Sequence, residues 1–153
     1  MAAAGKWKMY ELAKLALANG EIDFNADSFK INLYLSTSNC DTLSGHDQLT
    51  DLTNQVATAF GYTQNTKAVT IATSQAAGTT TVDETTNPVW TAAGGSITAR
   101  FAVIYDDTHA NDIPLFVCLL DTAPADVTAT DTNTFTITIN ASGLITISGA
   151  TSN

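Results

Sequence analysis

The chain has 153 residues, 44% of them apolar, which suits a single self-sufficient core and argues against disorder. Its net charge is −9, which disfavours direct binding to nucleic acid. Only 14% of residues are charged, against about 25% in ordinary soluble domains, and no apolar run approaches the ~20 residues of a membrane-spanning helix. Threonine, with Ser, Asn and Ala, takes the place of the missing charges. Its β-branched side chain suits a pleated surface, so an outer sheet face can be polar without being charged.

The first predicted element is a helix over residues 6–19. Met9, Leu12, Ala13, Ala16 and Leu17 fall at helical spacing on one face, and Glu11 can pair with Lys14 on the other. Gly20 after Asn19 supplies the stop. The period then changes to two. Over residues 28–36, Phe29, Ile31, Leu33 and Leu35 share one face and Lys30, Asn32, Tyr34 and Ser36 the other, which predicts a half-buried strand. Residues 43–60 fit either a short irregular helix or a draped loop. Further strands are expected around residues 67–73, 79–84 and 89–91, with turns at 76–78 and 93–95. Residues 96–106 make the longest alternating run, and 113–121 are apolar on both faces, as a central strand would be. Residues 124–131 read as a loop or edge segment, 134–139 as a strand with Phe135, Ile137 and Ile139 inward, and 144–148 as the last strand. Seven or eight short strands without a second helical pattern predict an all-β fold. The expected architecture is an antiparallel β-sandwich or jelly roll, one domain over residues 1–153, with one N-terminal α-helix at its edge.

The search for chemistry finds no phosphate-binding glycine loop and no nucleophile elbow. Ser44, His46 and Asp47 are too close in sequence for their side chains to converge as a triad. Asp106, Asp107 and Asp112 lie in an acidic loop that could offer oxygens to calcium. The spacing departs from the EF-hand pattern and no Gly sits at the turn, so a solvated hairpin loop is the preferred reading. Trp7, Trp90, Tyr10, Tyr34, Tyr62 and Tyr105 could form a sugar-stacking platform, but Trp90 and Tyr105 lie in apolar strand patterns and fit core packing better. Cys118 lies in the apolar run 115–120 and reads as a core residue, whereas Cys40 lies in a polar, turn-like stretch. Two cysteines make no disulfide framework. The expectation is therefore a chain without cofactor, metal or enzymatic activity. The first residues lack the apolar stretch of a signal peptide, which predicts synthesis in a reducing cytosol. Three of the six cations, Lys6, Lys8 and Lys14, fall in the first 14 residues. They form either a solvated helix face or a docking segment for an acidic partner or a neighbouring copy.

Several segments together resemble a known family. They are Asn19-Gly20-Glu21-Ile22-Asp23-Phe24, Asp27-Ser28-Phe29-Lys30-Ile31-Asn32-Leu33-Tyr34-Leu35, Gly61-Tyr62-Thr63, Val89-Trp90-Thr91-Ala92, the run from Ser96 to Thr108, and the run from Phe135 to Ile145. Their order over nearly the whole chain resembles small virion structural proteins of tailed bacteriophages. The resemblance implies a non-enzymatic capsid decoration, or cement, protein made in the host bacterial cytoplasm. It would bind the major capsid protein as a homo-oligomer, a trimer suiting three-fold capsid positions, without touching nucleic acid or membrane. A tail, baseplate or fibre component, or a carbohydrate-binding module, is the alternative. The contact residues expected from this resemblance are Lys6, Trp7 and Lys8 in the N-terminal segment, and Leu43, His46 and Leu49 in the loop over residues 40–52.

Overall fold

The computed structural model describes residues 5–123 and 125–149. Twelve strands and one α-helix follow in the order β1 (Lys8–Met9), α1 (Glu11–Asn19), β2 (Phe29–Tyr34), β3 (Lys67–Val69), β4 (Ile71–Ala76), β5 (Thr79–Glu84), β6 (Val89–Thr91), β7 (Ile97–Ala99), β8 (Phe101–Asp106), β9 (Pro114–Leu119), β10 (Val127–Ala129), β11 (Thr134–Thr136) and β12 (Ile145–Ser148). Every strand pair is antiparallel. The predicted class, mostly antiparallel β with one short N-terminal helix, is therefore observed. The strands divide among a five-stranded sheet (β1-β9-β8-β2-β3), a three-stranded sheet (β12-β5-β4) and two ribbons, β10-β7 and β11-β6.

The helix is shorter than its pattern predicts. The expected helix begins at residue 6, but residues 6–9 run along the edge of β9. Gly5 N–H donates to Leu119 O, Lys8 and Met9 stand opposite Val117 and Phe116, and Tyr10 N–H donates to Leu115 O. An apolar strand edge offers more hydrogen bonds than four frayed residues of helix can make. The helix then ends where predicted. Gly20 adopts φ 74°, and its N–H reaches the carbonyls of Ala16 and Leu17. Ala13 and Ala16 are buried, while Glu11 and Lys14 form no ion pair.

The centre of the molecule is β8, where all six residues are buried. Burying each large apolar side chain there is worth roughly 1.5–3 kcal/mol. Phe29, Ile31 and Leu33 of β2 stand opposite Asp106, Ile104 and Ala102, and Phe24 packs on Phe29 and Phe116 with centroids 5.9 and 6.2 Å away. The other face of β2 is covered too, which corrects the half-buried expectation. Asn32 and Tyr34 are 0% and 1% exposed, Lys30 is half-buried, and Leu35, expected inside, is exposed. The burial of Asn32 is accommodated by a reciprocal pair of hydrogen bonds. Its Oδ1 accepts from Asn65 N–H (2.9 Å), and its Nδ2 donates to Asn65 Oδ1 (2.6 Å). A second aromatic cluster lies at Trp90, whose ring meets Tyr62 at 5.8 Å and Phe135 at 6.2 Å, with Lys67 Nζ 5.3 Å from its centroid.

The remaining segments follow their local chemistry. Residues 43–60 form a draped loop with one 3₁₀ turn, Leu49–Asp51. The long run 96–106 breaks at Arg100 into β7 and β8, because Arg100 N–H turns to Tyr34 O while its carbonyl accepts from Leu120 N–H. Residues 124–131, expected as loop or edge, include β10. The β4–β5 hairpin turns at Ala77 and Gly78, both at positive φ (48° and 78°), as a two-residue hairpin turn requires. Residues 72–78 are exposed, so this Thr-rich hairpin projects from the body.

Candidate functional site

A groove of about 1000 Å³ opens beside the N-terminal segment. Gly5, Lys6 and Trp7 form one wall beside Cys118 and Leu120 of the β9 side. Val127, Phe135 and residues 136–140 form the other, and residues 142–146 close one end. The wall exists because residues 5–9 pair with β9 and place Lys6 exposed and Trp7 half-buried on the rim. Among the described residues that line it, Lys6 is the one charged residue, in a protein of net charge −9. The Cys118 thiol lies within 3.3 Å of Gly5 O, and burial pushes its pKa up to about 11, so it stays protonated and unreactive at neutral pH.

Lys6 and Trp7 thus share one feature, while Lys8 stands exposed next to them in β1. The other expected contact residues go elsewhere: no residue of 40–52 lines the groove. Leu43 accepts from Glu11 N–H at the start of α1 (2.9 Å), and Leu49 N–H donates to Asn111 O (3.2 Å). His46, expected at the surface, is buried with its ring edge-on to Tyr10 at 5.9 Å, and neither ring nitrogen has a hydrogen-bond partner among the described residues. The loop is fastened from within. Asp51 accepts from the N–H groups of Asp47 and Gln48, and Asn39 bonds the backbone of Asp51 and Thr53. Within residues 40–52 Cys40, His46 and Leu52 are buried and Leu43 and Leu49 are half-buried against the core, while Asp41, Thr42, Ser44, Gly45, Asp47, Gln48 and Thr50 stay exposed. Cys40, expected in a polar turn, is fully buried, and burial pushes its pKa up to about 11.

The acidic loop is likewise occupied with itself. Asp106 Oδ1 accepts from the N–H groups of Thr108 (2.8 Å) and His109 (3.1 Å). Asp107 pairs with Lys30 at 2.7 Å, and Asp112 N–H donates to His109 O. Among the described residues, no group of three or more His, Cys, Asp or Glu is arranged to hold a metal ion. Of the six aromatics that could have made a sugar platform, Tyr10, Tyr34, Tyr62, Tyr105 and Trp90 are buried, which leaves Trp7. A second hollow, between α1 and residues 109–113, measures about 200 Å³, below the roughly 300–1,000 Å³ of small-molecule sites.

Sequence reasoning missed the far wall of the groove. A signal was present: residues 132–153 contain no Asp, Glu, Lys or Arg. Ile139, expected to point into the core, is half-buried, packing against the core and also lining the groove. Comparisons with protein-family models, with curated proteins and with solved structures found no match.

Proposed function

We propose that the chain is a non-enzymatic structural component of a tailed-phage particle, a decoration protein that docks on the capsid shell and reinforces it. The observation that carries this reading is the groove beside Trp7, lined mainly by apolar and uncharged residues in a strongly acidic chain. Docking there removes apolar surface from water while stripping the hydration from only one charged group. The antiparallel sheets hold both walls, so little ordering entropy is lost on association. The particle assignment comes from the resemblance of the sequence, and places the protein in the virion with the major capsid protein as its partner.

Quantitative mass spectrometry of purified particles whose genome encodes this chain tests the assignment. Decoration predicts a copy number of the same order as the major capsid protein; a few tens of copies or fewer would assign the chain to the tail or baseplate instead. Rebinding to undecorated particles tests the face. Trp7→Ala and Lys6→Glu should lower occupancy, and these variants serve better than truncation, because residues 5–9 are part of the sheet edge. Unchanged occupancy in both variants would remove the groove as the docking face.

A further inference from the structure

We infer that the groove recognises an extended, neutral-to-acidic segment of its partner by adding it as a strand to the free edge of β11; this rests on the groove being the docking face. The direction of the main chain supports it. Asn133 O accepts from Ala92 N–H (2.8 Å), Phe135 stands opposite Trp90, and Ile137 N–H donates to Pro88 O (3.0 Å). Odd-numbered residues of this stretch therefore spend their main-chain groups on the β6 side. In an antiparallel pair the intervening residues turn their N–H and C=O groups the opposite way. Those residues are Thr134, Thr136 and Thr138, and the last two line the groove. No hydrogen bond from another described residue reaches the main chain of Thr136 or Thr138 on that side. An unpaired strand edge beside a pocket is the arrangement that captures an extended peptide, with main-chain bonds giving affinity and pockets reading alternate side chains.

The lining defines the guest. Trp7, Leu120 and Ile139 offer apolar contact to one row of its side chains. Lys6 offers a partner to an acidic residue, and no carboxylate among the described residues lines the groove to receive a basic one. β11 itself covers Thr134–Thr136, and the bonds from Ile137 N–H to Pro88 O and from Ile139 N–H to Asn87 Oδ1 carry the same alternation to 139; six residues at ~3.4 Å each would span about 20 Å, room for about six residues of guest. A second copy of the chain is the alternative occupant, which the sedimentation measurement below separates from an extended segment of a different partner.

The test uses the full chain and a capped heptapeptide, Asp-Val-Thr-Val-Thr-Val-Asp, followed by isothermal titration calorimetry. Two further peptides carry N-methyl groups on one or the other alternate set of amides. One methylated set faces the edge and should weaken binding about tenfold or more through lost main-chain bonds, while the other should bind nearly as well. Replacing both Asp residues of the peptide by Lys should weaken binding several-fold at low salt, and Lys6→Glu should remove that preference for acidic flanks. If both methylated peptides bind as tightly as the parent, the groove takes apolar segments without strand addition and the inference fails. It fails too if no peptide binds while Trp7→Ala still lowers occupancy on particles; docking at the groove would stand in both cases. A chain dimer that Trp7→Ala abolishes in sedimentation equilibrium would put a second copy in the groove and overturn the inference. If Trp7→Ala and Lys6→Glu leave both peptide affinity and particle occupancy unchanged, the docking face itself is wrong.

Discussion

Asn32 offers the most discriminating test of how this core is built. It is fully buried on β2 and exchanges two hydrogen bonds with Asn65, whose backbone sits at φ 59°. Asn32→Leu keeps the volume and removes both partners. Asn65 Oδ1 still accepts from Gln55 Nε2 at 3.2 Å, so the main loss is the orphaned Asn65 N–H. Such a group costs about 1–3 kcal/mol. At 2–4 °C per kcal/mol for a chain near this size, a mid-range loss lowers Tm by roughly 4–8 °C. Asn32→Asp should be worse at neutral pH, although it is the closer isostere. Its carboxylate would face Asn65 Oδ1, another acceptor, at a site without a cation. Full burial raises a carboxyl pKa by about 3–5 units, each worth 1.36 kcal/mol, so the deficit at pH 7 should be about 4 kcal/mol or more. Acidification reverses the order: a protonated carboxyl again donates to Asn65 Oδ1 while its other oxygen accepts from Asn65 N–H. Urea unfolding of the two variants at pH 7 and pH 4, followed by tryptophan fluorescence, checks this. The reasoning is refuted if Asn32→Asp is no less stable than Asn32→Leu at pH 7, or if its deficit does not shrink at pH 4.

Three other outcomes are expected. Burial, reinforced by the nearby Asp27, raises the Asp106 carboxyl pKa despite the two N–H groups it accepts. A raised folded value gives stability that is complete below the unfolded pKa of about 3.9 and is lost as pH rises through the folded value. Asp106→Asn, which keeps an acceptor for Thr108 and His109, should therefore gain on the wild type as pH rises from 4 to 7; a pH-independent difference in urea midpoints would contradict this. Ala77 holds φ 48° in the β4–β5 turn, so Ala77→Asn, creating the favoured Asn-Gly turn pair, should stabilise by about 1 kcal/mol and raise Tm by a few degrees. Gly61 has φ 87°, and a Cβ there would lie 2.1 Å from Thr91 O. Gly61→Ala should cost about 2 kcal/mol or more from the backbone conformation and the displaced β6 together, and a calorimetric Tm within error of the wild type would show that this contact yields freely.

The sequence by itself determined the class of fold and most strand positions. Alternation in 28–36, 96–106 and 134–139, the doubly apolar run at 113–121 and the Gly20 stop each depend on local geometry, which a periodic pattern or a glycine reports directly. Tertiary structure decided matters that depend on a distant neighbour. Residues 6–9 read as the first turn of the helix yet lie extended, because β9 offered an unpaired edge. Asn32 and Tyr34 read as a solvent face yet are buried, because the sheet is covered on both sides and Asn65, 33 positions away, satisfies the amide. His46 reads as a surface loop residue yet packs on Tyr10. The groove shows the division most clearly. Lys6 and Trp7 stood out in the sequence as a cationic N-terminal segment, but the other wall of the groove they line comes from residues about 130 positions later. Whether a strand's outer main-chain groups are paired or open is a property of what stands beside it, and no local pattern of side chains records that neighbour.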